Sequence, residues 1–400
     1  MIIIKKNIIL LFIILINIFT FSYKYIFFFI GDGMGFNHIS ISQTYLEKNN
    51  ETNLNLYKLE NLSTLKTNSL NTVTDSAAAI TAMMSFEKTY NEQINIDKEG
   101  KKISPITYHL KDSGYKIGII TKSSITDATP AGLYARTSNR KNHKEIADQL
   151  LKSNIDLAIG GGTAFFDNDK IKNSNFRYNN SLKQIPSEEQ ELILTNYSNV
   201  PFAIDSKTNY LKPGLEYALK KFSNDNFFIL IEGARIDHAS HAHDIKTMIY
   251  EMLELDSTLE TALNFYNKHK NETLIIFTSD HETGGLSLGD GFLSISKIED
   301  QKFSYEKIAN TIKNTNNYDD FIKEVNIKGL EKEYNETKNS KDYTYNSPLI
   351  RKYLDTMQKK AGFSWSTYGH TMSNVPLFSE GLKYPNLVDN TKIFTFILNK

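Results

Sequence analysis

The sequence contains no cysteine. This absence excludes disulfide bonds as a source of stability and leaves histidine, carboxylate and hydroxyl groups as the side chains that could bind a metal ion. The formal net charge is 0, from 46 basic and 46 acidic residues. Because there is neither a basic excess nor an acidic tail, the composition does not indicate nucleic-acid binding. At 400 residues, 40% of them hydrophobic, the chain is long enough for a large globular core.

The N-terminus is typical of a bacterial-type secretory signal. Lys5 and Lys6 precede the almost wholly apolar run 7–21, and Ser22 is a small residue near its end. The run is short for a membrane span, and its flanking residues suit export. We therefore predict a signal peptide over residues 1–22 and an exported protein, periplasmic or extracellular, with no membrane attachment after cleavage. An uncleaved membrane anchor is the alternative.

Apolar runs alternate with helical patterns along the rest of the chain. The runs are predicted as buried strands at 25–30, 117–121, 155–159, 227–231, 274–278 and 393–397. The longest helical pattern covers 244–270, with Asp244 as its N-cap. This alternation predicts an α/β fold, a three-layer α/β/α sandwich with a largely parallel central sheet. We expect residues 23–400 to form a single α/β domain with a peripheral insertion at about 286–345.

The segment 232–244 is the densest in chemically active side chains. It reads EGARIDHASHAHD and directly follows the predicted strand 227–231. Ligands of parallel sheets gather at the carboxyl ends of the strands, and Glu232 is at such an end, as are Asp32 and Asp280. Asp237 and His241 are four residues apart, so on a helix they would share one face and could bind one metal ion. A solvated polar loop is the alternative interpretation.

A second motif, TDSAAA, occupies residues 74–79. Asp75 or Ser76 would cap the alanine-rich helix that follows. A serine at this position lies at the positive end of the helix dipole, next to backbone N–H groups that suit a phosphate oxygen. Capping alone explains an isolated motif of this kind, so interpreting Ser76 as a nucleophile depends on its neighbours. A metal ion could lower the pKa of the hydroxyl group.

Asp127, Thr129 and Arg140 are further candidates. The carboxylate and hydroxyl of Asp127 and Thr129 form an oxygen-rich pair that suits Mg²⁺ better than zinc, although a capped turn before Pro130 is a serious alternative. The planar fork of Arg140 could bind two oxygens of one phosphate, whereas an isolated arginine is usually a surface residue.

Two more candidates contain imidazole groups. Asp280 and His281 follow the predicted strand 274–278 and offer one carboxylate and one imidazole. His370, in STYGHT at 366–371, is a third imidazole that could bind a metal or serve a structural role.

Together these motifs resemble the alkaline phosphatase family, with six separated motifs in family order from GDGMG at 31–35 to YGHT at 368–371. The resemblance implies hydrolysis of phosphate monoesters through a phosphoserine intermediate, with two Zn²⁺ ions and one Mg²⁺ ion. It implies that Ser76 is the nucleophile and that Asp75 orients Arg140, which binds phosphate. It implies the following metal ligands: Asp237, His241 and His370 for the first zinc; Asp280, His281 and Asp32 for the second; and Asp32, Asp127, Thr129 and Glu232 for magnesium.

The chain also departs from the family pattern. His238 occupies a position where family members carry different residues, so the third metal could be zinc instead, or His238 could have no ligand role. The interval from His281 to His370 is long, which leaves the substrate range open. His243 has no counterpart and is interpreted as structural or solvent-facing, as are His38, His109, His143 and His269.

Two other functions remain as alternatives: a phosphodiesterase of the same superfamily, and a non-catalytic metal- or phosphate-binding protein. Family members are commonly dimers, so the resemblance allows a homodimer, which no residue of the chain establishes.

Overall fold

The computed structural model describes residues 23–289 and 291–395, so the predicted signal peptide 1–22 lies outside the described residues. The strands are β1 (Tyr25–Ile30), β2 (Asn61–Lys66), β3 (Lys116–Ser124), β4 (Leu157–Gly161), β5 (Phe176–Asn179), β6 (Gln190–Leu194), β7 (Phe227–Glu232), β8 (Thr273–Thr278), β9 (Glu282–Thr283), β10 (Leu286–Leu288), β11 (Phe363–Trp365), β12 (His370–Thr371), β13 (Val375–Glu380) and β14 (Leu387–Asp389).

The α-helices span Phe36–Lys48, Ser76–Ser85, Ile106–Asp112, Ala128–Ala131, His143–Leu150, Asn168–Lys172, Ala203–Ser206, Leu211–Lys221, Arg235–His241, Ile245–Tyr266, Tyr305–Asn314, Tyr318–Val325, Glu331–Ser340 and Pro348–Ala361. Short 3₁₀ turns span Asn55–Lys58, Thr163–Phe165, Lys270–Glu272, Ile295–Ile298 and Asn390–Lys392. Within the described residues, no helix is both long enough and apolar enough to cross a membrane.

A large sheet runs through the centre of the molecule. Its strand order is β14-β2-β13-β8-β1-β7-β3-β4-β6-β5. Strand β13 pairs antiparallel with β2 and β8, and the remaining neighbours in this order pair parallel. The prediction of an α/β fold with a largely parallel central sheet is therefore confirmed.

Both faces of the sheet are covered by helices. Successive side chains of a strand point to opposite faces, and in β1 Phe27 and Phe29 join a hydrophobic cluster that contains Met248 of the helix Ile245–Tyr266. Phe28 joins a different cluster, which contains Met83 of the helix Ser76–Ser85. The near-continuous apolar sequence of β1 follows from this arrangement, because a strand between two helical layers has no face exposed to water.

The predicted strand at 393–397 is wrong. The chain forms the 3₁₀ turn Asn390–Lys392 and continues without strand structure to residue 395, and the last two residues of the prediction lie beyond the described part. Phe394 packs on a face of the sheet instead, with its ring centroid 5.1 Å from that of Phe28 and 5.5 Å from that of Phe228. A short apolar run predicts burial, but periodicity alone does not distinguish a central strand from a segment packed against the sheet.

The predicted helix 244–270 is present in shorter form, as Ile245–Tyr266. Asp244 is its N-cap, as predicted, and its carboxylate accepts a hydrogen bond from the Thr247 backbone N–H. The same carboxylate accepts a second hydrogen bond from the backbone N–H of Tyr305, at 2.8 Å. The cap of the long helix is therefore also an anchor for the chain at Tyr305.

Four helices between β10 and β11 pack around a hydrophobic cluster of their own. We call them the four-helix unit: Tyr305–Asn314, Tyr318–Val325, Glu331–Ser340 and Pro348–Ala361. Their shared cluster includes Ile312, Phe321, Tyr334 and Ile350. The unit extends beyond the predicted insertion at about 286–345, whose standing as a separate peripheral element stays a prediction.

A buried ion network joins the sheet to the long helix. Lys122 of β3 has a side chain only 1% exposed, and its ammonium group lies 2.9 Å from Glu251 and 2.6 Å from Glu254. The Glu251 carboxylate also accepts a hydrogen bond from the Ala203 backbone N–H. One lysine is therefore the shared cation of two carboxylates that have almost no access to water.

We predict that Lys122→Met lowers the free energy of unfolding by about 3–5 kcal/mol at pH 8, because it leaves two buried carboxylates without their cation. Urea denaturation measures this loss. The matched control is Lys212→Met, which removes the half-exposed ion pair with Glu260 and should cost less than about 1 kcal/mol. Equal losses in the two variants would contradict the structural importance of the buried network.

Candidate active site

Acidic residues gather at the carboxyl ends of four neighbouring strands, in the order β8, β1, β7 and β3. Asp280 follows β8, Asp32 follows β1, Glu232 is the last residue of β7, and Asp127 lies three residues after β3. Parallel strands bring their carboxyl ends to one edge of the sheet. The three strand-end acids named from the sequence, Asp32, Glu232 and Asp280, therefore lie at the same edge of the sheet.

Asp237, His241 and His370 form what we call the first metal group. The helix Arg235–His241 places Asp237 and His241 one turn apart, with 3.3 Å between Asp237 Oδ1 and His241 Nε2. His370 of β12 brings its Nε2 to 3.2 Å from His241 Nε2 and 3.7 Å from Asp237 Oδ1. Two imidazole nitrogens and one carboxylate oxygen directed at a common point match three ligands of a catalytic zinc site.

Asp32, Asp280 and His281 form the second metal group. His281 Nε2 lies 3.2 Å from Asp280 Oδ2 and 3.6 Å from Asp32 Oδ1. All three residues are buried. Asp32 Oδ1 and Asp280 Oδ2 receive no hydrogen bond within the described part of the chain. Buried carboxylate oxygens without donors are costly unless a cation binds them, so this donor set fits a metal ion.

The pKa values of these carboxyl groups show how strongly the site disfavours uncompensated negative charge. Burial and the neighbouring Asp280 raise the pKa of Asp32 well above its ordinary value. Burial and Asp237 raise the pKa of Asp280 to about 6, and burial raises that of Glu232 to about 8. Divalent cations would stabilise the ionised forms and reverse these shifts.

Backbone carbonyl groups orient the two histidines of the first metal group. His241 Nδ1 donates a hydrogen bond to the carbonyl oxygen of Tyr368, and His370 Nδ1 donates to that of Thr74 at 2.9 Å. In this tautomer each Nε2 presents a lone pair toward the other ligands, as a metal-binding histidine requires. Tyr368 and Thr74 were not singled out from the sequence, because a backbone carbonyl has no sequence signature.

Thr283 connects the two metal groups and was also missed. Its hydroxyl donates a hydrogen bond to Asp237 Oδ1 and lies 3.2 Å from His281 Nδ1. The backbone N–H of Gly33 approaches the same place and donates to Asp280 Oδ1 at 3.1 Å. Gly33 has φ +75°, and a Cβ there would lie 2.8 Å from the Thr283 hydroxyl. The turn after β1 therefore requires glycine at this position.

Ser76 is the first residue of the helix Ser76–Ser85, and Asp75 is the N-cap, accepting a hydrogen bond from Ala78 N at 2.9 Å. Capping by Asp75 leaves the Ser76 hydroxyl available for another role. Ser76 Oγ lies 3.2 Å from His281 Nε2, so it is next to the second metal group.

The guanidinium group of Arg140 lies between two carboxylates. Its Nη1 is 3.3 Å from Asp75 Oδ2, and its Nη2 is 3.0 Å from Asp127 Oδ1. The same oxygen, Asp75 Oδ2, also accepts a hydrogen bond from the Glu92 backbone N–H at 2.9 Å. Both Asp75 and Asp127 therefore contact the guanidinium group of Arg140, and the role that the resemblance implies for Asp75, orienting a phosphate-binding arginine, stays a prediction.

The magnesium ligands implied by the resemblance are close together but less clearly convergent. Within the described residues, the two metal groups are the sets of three histidine or acidic side chains whose ligand atoms meet. Glu232 accepts a hydrogen bond from the hydroxyl of Thr121, whereas the buried hydroxyl of Thr129 has no hydrogen-bond partner among the described residues. The set of Asp32, Asp127, Thr129 and Glu232 stays a prediction.

The other histidines of the segment 232–244 have different surroundings. Burial and the positive charge of Arg235 lower the pKa of His238, so its imidazole is neutral at alkaline pH and adds no fixed positive charge beside Asp127. His243 is buried, and its Nε2 donates to the Thr367 carbonyl at 2.8 Å, which agrees with a structural role.

Comparisons with known proteins agree with this geometry. The family model for alkaline phosphatase matches residues 23–399. The chain belongs to the alkaline phosphatase family. Alkaline phosphatases are phosphoric monoester hydrolases, so the chain is a member of this enzyme class.

Individual alkaline phosphatases match over most of their length. Alkaline phosphatase 3 of Bacillus subtilis is 31% identical over 401 residues, covering 91% of this chain and 86% of that protein. The crystal structure of the cold-active enzyme from Shewanella sp. has a TM-score of 0.83 at 25% identity, covering 94% of this chain and 99% of the other. A variant of the enzyme from the Antarctic bacterium TAB5, with magnesium bound in its M3 site, has a TM-score of 0.72 at 28% identity, covering 94% and 97%.

We predict that EDTA removes metal from this alkaline phosphatase and lowers its Tm by more than about 5 °C, because the buried carboxylates lose their counter-charge and metal binding stabilises the folded state. Calorimetry and metal analysis of the same samples measure both effects. EDTA saturated with zinc before addition is the control and should leave the Tm unchanged. Complete metal loss at constant Tm would contradict coupling between metal binding and stability.

Proposed function

We propose that this chain hydrolyses phosphate monoesters through a phosphoserine intermediate on Ser76 and releases inorganic phosphate. The observation that carries the proposal is the position of Ser76 Oγ, 3.2 Å from His281 of the second metal group and directly after Asp75, which contacts Arg140. Nucleophile, metal ligands and a phosphate-binding group therefore share one place at the edge of the sheet.

The donor sets support two zinc sites and one magnesium site. We assign the first zinc to Asp237, His241 and His370, and the second to Asp32, Asp280 and His281. We assign the third ion, magnesium or alternatively zinc, to Asp32, Asp127, Thr129 and Glu232. When bound, such ions lower the pKa of a coordinated hydroxyl or water and neutralise charge on phosphate oxygens.

Arg140 would bind two non-bridging oxygens of the substrate phosphate, with its guanidinium held in place by Asp75 and Asp127. Ser76 Oγ then attacks phosphorus, so that the new Oγ–P bond forms as the ester P–O bond breaks and the alcohol leaves. Water cleaves the Oγ–P bond in the second step and restores the serine. The N-terminal end of the helix Ser76–Ser85 favours the negative charge of the phosphoryl group in both steps.

Export and assembly belong to the same proposal. The apolar N-terminal run supports a signal peptide over residues 1–22 and a periplasmic or extracellular location. Family membership supports a homodimer as one state of the enzyme.

The long interval between His281 and His370 contains the four-helix unit, which would shape the approach to the site and so the range of accepted monoesters.

Ser76→Ala is expected to reduce turnover of p-nitrophenyl phosphate by at least about 10⁴-fold while bound metal stays at the wild-type level, because the variant removes the nucleophile and no metal ligand. Steady-state kinetics and metal analysis test this. The control is Ser40→Ala on an exposed helical position, which should retain wild-type turnover. Full activity of Ser76→Ala would refute the nucleophile assignment, and an inactive wild-type protein that still binds metal would favour the non-catalytic alternative.

Arg140 is expected to separate monoesterase from diesterase activity. The wild-type enzyme should hydrolyse p-nitrophenyl phosphate faster than bis-p-nitrophenyl phosphate. Arg140→Ala should lower kcat/KM for the monoester by about 100-fold and for the diester by less, since a diester offers Arg140 less negative charge. Lys141→Ala, at an exposed neighbouring side chain, is the control. Faster turnover of the diester by the wild-type enzyme would favour the phosphodiesterase alternative.

A further inference from the structure

The four-helix unit contacts the segment 235–244, which carries Asp237 and His241 of the first metal group. The contacts reach residues 235–244 at four points: Glu306 to Arg235 (Oε2–Nη2 2.6 Å), Tyr305 N to Asp244 (2.8 Å), Arg351 to the Ala242 carbonyl, and Gln358 to the His243 carbonyl. Two of these points directly follow His241 in the sequence. The unit is therefore connected to the metal-binding helix as well as to its own hydrophobic cluster.

Arg351 makes the most specific of these connections. Its Nη2 donates a hydrogen bond to the carbonyl oxygen of Ala242, the residue after His241. Its Nη1 lies 3.2 Å from the hydroxyl of Tyr368, and its guanidinium carbon is 5.2 Å from the centre of the Tyr368 ring. Its Nε donates a hydrogen bond to the carbonyl oxygen of Tyr345, and this third contact fixes the orientation of the guanidinium group. One planar group thus joins two loops that are far apart in sequence.

Both of these loops determine where the imidazole of His241 points. The carbonyl of Tyr368 accepts the hydrogen bond from His241 Nδ1, and Ala242 ends the helix that carries His241. His243 makes two further contacts between the same two loops. Its ring stacks on that of Tyr368, with 4.0 Å between the ring centres and an interplanar angle of 6°, and its Nε2 donates a hydrogen bond to the Thr367 carbonyl. His243 itself has φ +57°, a conformation that few non-glycine residues adopt without support from their surroundings.

We infer that Arg351 is a positioning residue for His241, through which the four-helix unit holds the first metal group in its binding geometry. The inference rests on the metal sites of the proposed function. Arg351 touches no ligand atom; it acts through the Ala242 carbonyl group and the side chain of Tyr368, whose own carbonyl accepts the hydrogen bond from His241. Partners that orient a metal-binding histidine typically change metal affinity by about 10–100-fold when they are removed. The second metal group has no contact with Arg351 among those described and should be unaffected.

The test is the rate of metal release from zinc-loaded full-length protein into the chromogenic chelator 4-(2-pyridylazo)resorcinol. Arg351→Ala is expected to release one equivalent of zinc about 10-fold faster than wild type or more, and the other at the wild-type rate. His370→Ala, which removes a ligand of the first metal group, identifies the equivalent concerned. Arg351→Lys keeps the positive charge but loses the forked hydrogen bonds, so it should also accelerate release of the same zinc equivalent. It replaces the alanine variant if that variant does not fold.

Arg136→Ala is the matched control. Arg136 makes contacts of the same kind elsewhere: its guanidinium carbon lies 4.4 Å from the centre of the Tyr108 ring, and its Nε donates to the Ile103 carbonyl at 2.9 Å. This variant should lower the Tm of the metal-free protein about as much as Arg351→Ala does, and it should release both equivalents at the wild-type rate.

Wild-type release rates in both Arg351 variants, or equal acceleration of both equivalents, would overturn the inference and leave Arg351 with a purely structural role. The readout is independent of catalysis. A wild-type protein that lacks phosphatase activity would refute the proposed function, while selective release of one equivalent from the Arg351 variants would still support the inference.

Discussion

The structure depends on concentrated negative charge at one edge of the central sheet. Asp280, Asp32 and Glu232 end or follow the neighbouring strands β8, β1 and β7, and each has an upward-shifted pKa because water is excluded and other carboxylates are close. Such a group of anions is tolerable in a folded protein when cations or directed hydrogen bonds offset the lost hydration. The remaining features of the site supply that compensation.

The compensation comes from different layers of the fold. The helix Ser76–Ser85 on one face directs its positive end toward the edge where the acids meet, and Asp75 at its start contacts Arg140. The helix Arg235–His241 adds the imidazole of His241 but also a further carboxylate, Asp237, which adds to the negative charge. Strand β12 adds the imidazole of His370 from the end of the long interval that contains the four-helix unit. Because each contributing element begins or ends near the same edge of the sheet, the candidate catalytic groups lie close together although they are spread over more than 300 residues of sequence.

Much of this arrangement follows from local sequence patterns. A strand that is apolar along its whole length, such as β1, signals a sheet buried on both faces, and the i, i+4 spacing of Asp237 and His241 signals one helix face. The candidate ligands could therefore be named from the sequence, with the family resemblance joining distant motifs. The run at 393–397 was misassigned because burial against a sheet and burial within it require the same apolar residues.

The groups that orient the ligands were not predictable in this way. The carbonyl oxygens of Tyr368 and Thr74, which hold His241 and His370, belong to the backbone and can be recognised only from tertiary structure. Thr283 contacts both metal groups through its side-chain hydroxyl. A single threonine in a polar stretch is compatible with many roles, so its sequence context did not indicate this one. The connection from Arg351 to the first metal group could not be predicted either, because an arginine in the sequence gives no indication of which groups it will contact in the fold.

The central claim is that the two metal groups bind separate ions next to Ser76. Anomalous diffraction at the zinc absorption edge, from crystals of the zinc-loaded protein, tests it most directly. The account predicts two anomalous peaks, one among Asp237, His241 and His370 and one among Asp32, Asp280 and His281. A single shared peak, or zinc bound elsewhere while these side chains remain without metal, would contradict it.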